Sequence, residues 1–514
     1  MRHSSFALFV LAVVAAFLPA AAGARPISFG ESETATALQW TACDGGYQCA
    51  TLSVPLDYAN PASGAISLGI VRRPASDPAR RIGVLFMNPG GPGGSAVELV
   101  ERISLPGEVM ARFDLIGVDP RGVGRTEPIS CHSTMQAYFA VDPSPDTEAE
   151  WLALEQAAAA FTAECTANHG ALLPHVGTRN VARDMERVRI ALGEERISYL
   201  GYSYGTTLGA VYADMFPGRL RAMVLDGAYD FFSFTGDEQL RRQSVGFEGA
   251  LDAFLANCTG TCPLARGGSP RSQLDLLLAR VEQSPIPAPG ADRPLGPGEA
   301  NVGVSLGLYS RAYWPMLATA VSNALAGDGT LLVAMADIYL NREPDGSYPG
   351  ANDVYIAVSC LDYAWPSTTA AFRPLAAQAI ASAPHFGAPN LLQSALPCAN
   401  WPAPSEPLTP PHAEGAPPIL VIATTNDPAT PYAEGVRHAN QLATGVLLTH
   451  VGEGHTVYGH GNSCIDSVVN AYLVSLTVPA DGASCEPGRS TPTPPPPAKP
   501  ARPYSVVLPE IAAG

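Results

Sequence analysis

The chain has 514 residues, 46% of them hydrophobic, which is ample for a large buried core. At roughly 150 residues per domain the length allows about three units, although α/β folds often exceed that figure as one domain. With 30 basic against 47 acidic residues the formal charge is −17, a balance that repels phosphate backbones and anionic membranes and argues against nucleic-acid binding.

The N-terminus reads as a secretory leader. Arg2 and His3 precede an apolar run from Phe6 to Leu18, too short to serve as a comfortable membrane anchor. Small residues follow, in Ala20-Ala21-Ala22 and Ala22-Gly23-Ala24, so cleavage is expected after Ala24 or after Ala22. The mature protein is then secreted or periplasmic, with no membrane insertion. Ten cysteines agree with an oxidising compartment. They fall in sequence-near couples: Cys43 with Cys49, Cys131 with Cys165, Cys258 with Cys262, Cys360 with Cys398, and Cys464 with Cys485. Spacing alone leaves the connectivity open. Cys258-Thr-Gly-Thr-Cys262 has no second Cys/His pair beside it, so a small disulfide loop is expected there rather than a metal site.

Short apolar runs then alternate with helical stretches, the pattern of a mostly parallel sheet with helices on both faces. Strands are expected at Ala65–Val71, Ile82–Met87, Phe113–Val118, Ile197–Tyr202, Met223–Asp226, Ile419–Thr424 and Val446–Val451. Helical periodicity fits Val181–Leu192 and Thr206–Phe216. After the fifth strand the texture changes to helix-like segments, Glu238–Leu255, Gln273–Gln283, Tyr313–Leu325 and Leu331–Leu340, punctuated by Pro/Gly-rich stretches. The expected organisation is a leader (1–24), a sheet domain in two parts (25–234 and 411–487), a helical cap inserted between them (235–410), and a Pro-rich tail (488–514). The tail begins with a Thr/Pro run and suits an extended spacer, such as a link to the cell surface.

The segment with most chemical content is Gly201-Tyr202-Ser203-Tyr204-Gly205, directly after an apolar strand and before a helix. It matches the G-x-S-x-G nucleophile elbow. Five residues of this kind arise by chance in a Gly-rich chain; the strand-turn-helix context gives them weight. The turn leaves no room for bulk beside the serine, and it lifts the hydroxyl onto a helix N-terminus, where amide dipoles favour negative charge. Upstream, Asn88-Pro-Gly-Gly-Pro-Gly-Gly-Ser95 follows a strand and can bring a main-chain N–H close to a substrate oxygen. The amides of Gly91 and Tyr204 are the expected oxyanion donors, one such donor typically being worth about 10²–10³ in rate.

A serine nucleophile of this fold is followed in the chain by an acid and then a histidine. Asp427, in Thr425-Asn-Asp427-Pro-Ala-Thr-Pro431, and His455, in Gly452-Glu-Gly-His455, each follow a late strand and fill these roles. Asp226 is a rival acid, and His450 and His460 are rival bases. Asp119-Pro-Arg-Gly-Val-Gly-Arg125 is a further Gly-rich loop without the Lys-Ser/Thr ending of a phosphate loop, so a structural place near the elbow is expected.

These five motifs, in this order from about Trp40 to Cys485, resemble secreted bacterial tripeptidyl aminopeptidases and the related proline iminopeptidases. Asn88-Pro89 stands where the iminopeptidases begin the loop with His, as in the tripeptidyl branch. The resemblance implies an α/β-hydrolase fold with a helical cap, a triad of Ser203, Asp427 and His455, peptide substrates with a free N-terminus, and neither metal nor organic cofactor. A monomer is expected. Such an enzyme must recognise an α-ammonium, for which Asp362, Asp230, Asp237 and Glu238 are candidate carboxylates. Tyr229, Phe232, Tyr309 and Trp314 are candidate pocket aromatics. An esterase on the same triad, or a catalytically silent binding protein, are the competing readings.

Overall fold

The computed structural model describes residues 37–230 and 234–493. The expected leader, Phe232 and the tail beyond residue 493 lie outside the described residues. Among the described residues ten strands form one sheet: β1 (Thr41–Cys43), β2 (Tyr47–Pro55), β3 (Ala65–Arg73), β4 (Gly83–Asn88), β5 (Phe113–Val118), β6 (Ile197–Tyr202), β7 (Leu220–Asp226), β8 (Ile419–Asn426), β9 (Gly445–Glu453) and β10 (Ala483–Cys485). Their spatial order is β1-β2-β3-β5-β4-β6-β7-β8-β9-β10. The first four in that order pair antiparallel, and from β5 onward every pairing is parallel.

The interior strands are buried on both faces, as parallel strands covered by helices must be. Alternate residues of β4 divide between the faces. Leu85 and Met87 pack with Val97, Val109 and Val469; Val84 and Phe86 pack with Met185, Val188 and Leu208. The first group lies on α1 (Ala96–Arg102), α2 (Gly107–Arg112) and α16 (Ser463–Ser475); the second on α5 (Thr178–Leu192) and α6 (Tyr204–Met215). Each fully buried Leu or Phe of these layers contributes about 1.5–3 kcal/mol.

Three strands have no counterpart in the sequence reading. β1 and β10 are only three residues long, and β2 has exposed and half-buried positions broken by polar residues, so none shows a continuous apolar run. A second difference concerns α3 (His132–Ala140) and α4 (Glu148–His169), inserted between β5 and β6. A capping box of Thr147 and Glu150 starts α4. The pair packs away from the sheet, onto later helices: the Tyr138 hydroxyl donates to the Leu392 carbonyl at 2.7 Å, and Thr162 Oγ1 donates to that of Pro397 at 3.2 Å.

Between β7 and β8 the chain is helical: α7 (Gly236–Asn257), α8 (Pro270–Gln283), α9 (Pro297–Leu308), α10 (Trp314–Leu325), α11 (Thr330–Leu340), α12 (Ala351–Asp362), α13 (Phe372–Ser382) and α14 (Gly387–Ala395). Among the described residues, extended pairing there is confined to one bridge, Ile286 with Leu295. α7 to α11 share an apolar cluster that includes Phe247, Leu251, Leu274, Leu317 and Leu332. β8 returns the chain to the sheet, and α15 (Tyr432–Gln441) links it to β9. The five sequence-near cysteine couples are five disulfides.

The Asp119–Arg125 loop is structural, as its composition suggested. Asp119 accepts from Ser95 Oγ at 2.7 Å, from the Val97 amide at 3.0 Å and from the Arg125 amide at 2.8 Å, tying the loop after β5 to the start of α1. Arg121 is fully buried and grips Asp184 of α5 through two bonds of 2.7 Å, while also donating to the carbonyls of Pro55, Leu56 and His175. Removing one partner of such a pair strands a buried charge. Asp184→Ala is therefore expected to lower unfolding free energy by about 3–5 kcal/mol in urea titration; a loss below about 1 kcal/mol would contradict this role for the pair.

Candidate active site

β4, β5, β6, β7, β8 and β9 run parallel, so their C-terminal ends share one edge of the sheet, where open α/β sheets place their ligand sites. Ser203 stands between β6 and α6 with φ 54° and ψ −126°. For a residue with a Cβ this is a strained conformation, costing of order 1–3 kcal/mol and retained only where its surroundings enforce it. The Ser203 amide donates to the Asp226 carbonyl at 2.9 Å, and its carbonyl accepts from the Thr206 amide at 2.8 Å. The turn is so tight that a Cβ on Gly201 would lie 2.3 Å from the Gly205 carbonyl oxygen.

The glycine loop after β4 abuts this turn. Asn88 Oδ1 accepts from the Gly90 amide at 2.9 Å, and Gly90 has φ +95°. A Cβ on Gly90 would sit 2.5 Å from the Tyr202 carbonyl oxygen, 2.8 Å from Ser203 Cβ and 3.0 Å from the Tyr204 amide nitrogen. The loop and the first turn of α6 thus meet at the serine, and Gly91 and Ser203 line the same cavities.

The His455 side chain, after β9, is only 8% exposed, and its Nδ1 lies 2.9 Å from both carboxylate oxygens of Asp427. Asp427 also accepts from the amides of Ala429 and Thr430, at 2.9 and 2.8 Å, and from Thr430 Oγ1 at 2.9 Å. Thr430 Oγ1 stands 3.3 Å from His455 Nδ1, so it touches both partners. The Tyr309 carbonyl, just beyond α9, accepts from the His455 amide at 2.9 Å, and the Tyr309 ring meets the imidazole edge-on at 5.5 Å. Burial disfavours the imidazolium, but the charges of Asp427 and then Asp226 outweigh it and hold His455 above its ordinary range. Among the described residues, His455 Nε2 is buried without a protein partner.

The rivals have other partners. Asp226 spends one oxygen on the amides of Val457 and Tyr458, at 2.9 and 2.7 Å, which shapes the loop carrying His455; burial pushes its carboxyl up to about 6. His450 lies within β9, its Nδ1 3.2 Å from Thr424 Oγ1. His460 lies tilted beside Tyr202, ring centres 6.4 Å apart and planes at 53°.

Two cavities meet at Ser203. A narrow one of about 40 Å³ is walled by Tyr229, Tyr355, Tyr363 and Trp365; a wide one of about 470 Å³ runs under α9, α11 and α12 past Tyr309, Asn301 and Gln393. The carboxylates expected to bind a substrate amine are not among the described residues that line either cavity. Asp362, only 3% exposed, accepts from Thr178 Oγ1 at 2.5 Å and from the Thr178 amide, and burial pushes it up to about 7. Asp230 is held by Arg437 at 3.3 Å and Gln441 at 2.8 Å. Glu238 forms a two-point bond with Arg241, at 2.7 and 2.8 Å, and one with Arg242, and the Arg241 contact holds its carboxyl below the usual range. Asp237 sits in the first turn of α7. Of the pocket aromatics, Tyr229 and Tyr309 line the cavities, whereas Trp314 is buried against Phe254. Sequence reasoning missed Thr430, Gln239, Gln243 and Ser394; for Thr430 a signal was present, a hydroxyl three residues after Asp427 in a turn.

Fold and site together define a serine hydrolase of the α/β-hydrolase class. Residues 83–261 match the alpha/beta hydrolase fold family, and residues 383–485 match a family described as TAP-like protein. The chain is 38% identical over 481 residues to the serine protease Hip1 of Mycobacterium tuberculosis, covering 87% of this chain and 91% of that one. It is 33% identical over 465 residues to a tripeptidyl aminopeptidase of Streptomyces lividans (87% and 85% covered). It is also 36% identical over 459 residues to a carboxylesterase B of M. tuberculosis (86% of each). The chain belongs to the tripeptidyl aminopeptidase-like family of α/β-hydrolases.

The loop geometry has a direct consequence. Gly90→Ala forces a Cβ into the elbow, and a displacement of about 1 Å at such a site can cost about 10² in rate. The variant is expected to fold with an unchanged circular dichroism spectrum and to lose about 100-fold in kcat/KM; near-normal turnover would show that the loop has slack.

Proposed function

We propose that this chain is an exported serine exopeptidase that releases short N-terminal peptides through an acyl-enzyme on Ser203. The observation that carries the reading is the pairing of His455 Nδ1 with both oxygens of Asp427, on the same sheet edge as the strained Ser203 turn. In this reading Asp427 fixes the imidazole tautomer and stabilises its cation, and Nε2 takes the Ser203 proton as Oγ attacks the peptide carbonyl. The amides of Gly91 and Tyr204 receive the developing oxyanion. Nε2 then returns the proton to the leaving amine, and water repeats the sequence to free the acyl group. Thr430 holds both Asp427 and His455 in register.

Family membership supports peptide substrates, since the named relatives include a serine protease and a tripeptidyl aminopeptidase. The helical excursion between β7 and β8, joined by α3 and α4, is read as the cap that restricts access to Ser203. The five disulfides suit an oxidising compartment, and among the described residues no helix is long and apolar enough to cross a membrane. Ester hydrolysis is the second reading, favoured by the carboxylesterase relative and by the uncharged lining of both cavities.

Hydrolysis of a free-amine tripeptide anilide, its N-blocked twin and a short-chain nitrophenyl ester separates these readings, with Ser203→Ala as control. Preference for the free amine is expected; turnover of the ester without the anilide would overturn the peptidase reading. The pH profile follows from His455. Neutral imidazole is the base, and its conjugate acid is held above the ordinary value near 6.5. Activity is therefore expected to rise with pH through a limb lying above about 6.5. Asp427→Asn should move that limb downward and cut kcat by about 10⁴.

A further inference from the structure

The narrow cavity beside Ser203 contains a side chain that the reaction as described does not use. Gln239, on α7, is 3% exposed and lines this cavity together with Ser203. Among the described residues, neither its Nε2 nor its Oε1 has a hydrogen-bond partner. Its neighbour one turn on, Gln243, is fixed differently, donating through Nε2 to the Ala429 carbonyl at 2.8 Å. Burying a carboxamide without partners is costly, so two open valences in one pocket mark a place where a polar group is meant to enter.

The walls define that group. Tyr229, Tyr355, Tyr363 and Trp365 supply flat apolar faces, and no Asp, Glu, Lys, Arg or His is among the described residues that line the cavity. An ammonium would satisfy Oε1 and leave Nε2 unpaired; a carboxylate would do the reverse. Either would also surrender its hydration in a cavity without a counter-charge. A second carboxamide satisfies both atoms at once, in a two-point pair. The free volume of about 40 Å³ accepts roughly three water-sized groups, the size of a short side chain's end and not of an arginine or tryptophan.

Resting on the acyl-enzyme reading above, we propose that Gln239 determines specificity by pairing with the side-chain carboxamide of a glutamine or asparagine at the substrate residue whose carbonyl Ser203 attacks. That residue stays attached to the serine through the acyl-enzyme, so the enclosed pocket suits it. The wide cavity leaves room for the remainder of the substrate. A site built to hydrogen-bond a substrate group rejects an isostere lacking it far more strongly than an apolar pocket rejects one methylene.

The test separates binding from turnover. Ser203→Ala protein is titrated by calorimetry with Ala-Ala-Xaa amides in which Xaa is glutamine, methionine, lysine or glutamate. Wild-type enzyme is assayed on the matching anilides and aryl esters. Glutamine is expected to bind at least tenfold more tightly than methionine, its near-isostere, and to lead in kcat/KM by a similar factor. Gln239→Met should abolish that difference by weakening glutamine while leaving methionine unchanged or improved. Gln239→Glu keeps the shape and an acceptor; it should lower glutamine and raise lysine, with a melting temperature that reports folding. Equal binding of glutamine and methionine, no binding of any amide, or an equal loss for all four peptides in Gln239→Met would each overturn the assignment. Ester turnover with the glutamine preference but no anilide turnover would sink the peptidase reading and leave Gln239 in place. Anilide turnover without the preference would do the opposite.

Discussion

The site is organised around a backbone held where it would not rest by itself. Ser203 sits at φ 54° and ψ −126° at the end of a buried strand, and the groups around it leave no alternative. The Asp226 carbonyl captures its amide, Gly201 and Gly205 pass at contact distance, and Gly90 closes from the other side. Strain of of order 1–3 kcal/mol is small beside the burial of the sheet that imposes it. The ten-stranded sheet is thus the device that presents one hydroxyl, and the parallel register brings Asp427 and His455 to the same edge from the far end of the chain.

The elements most legible in the sequence were those whose physics is local or one-dimensional. β5 and β6 are buried at every position, so each is mostly apolar, with Asp114 and Ser198 the buried polar exceptions, and each coincides to the residue with its expected limits. The pairing of Asp427 with His455 was readable because each occupies the loop after a late strand. What escaped depends on partners distant in the chain. Asp230 looked available for a substrate ammonium, yet Arg437, 207 residues away, and Gln441 had already taken it. Asp362 is occupied by Thr178, 184 residues earlier. α3 and α4 were hidden for another reason: neither concentrates its apolar residues on one side, and α4 carries four alanines in a row at 157–160, so the one-sided stripe that marks a helix in sequence is missing.

A consistent electrostatic picture results. Carboxylates near the site are consumed in structural ion pairs or carry backbone amides, and the described residues that line the cavities reaching Ser203 are uncharged: amides, hydroxyls, aromatic rings and aliphatic side chains. Charge is concentrated on the Asp427–His455 pair, where it can act on proton transfer. Recognition in the proposed enzyme then rests on neutral hydrogen bonds and shape, which makes side-chain amides such as that of Gln239 more informative about substrate than any acid in the cap.

The central claim is that Ser203 itself becomes acylated. Wild-type protein mixed briefly with an excess of a tripeptide aryl ester, quenched in acid and digested, should carry one acyl group per chain on the peptide containing Gly201–Gly205, located by fragmentation to Ser203 and missing from Ser203→Ala. An acyl group on another residue, or release of product with no adduct at the earliest quench and no pre-steady-state burst, would contradict the account.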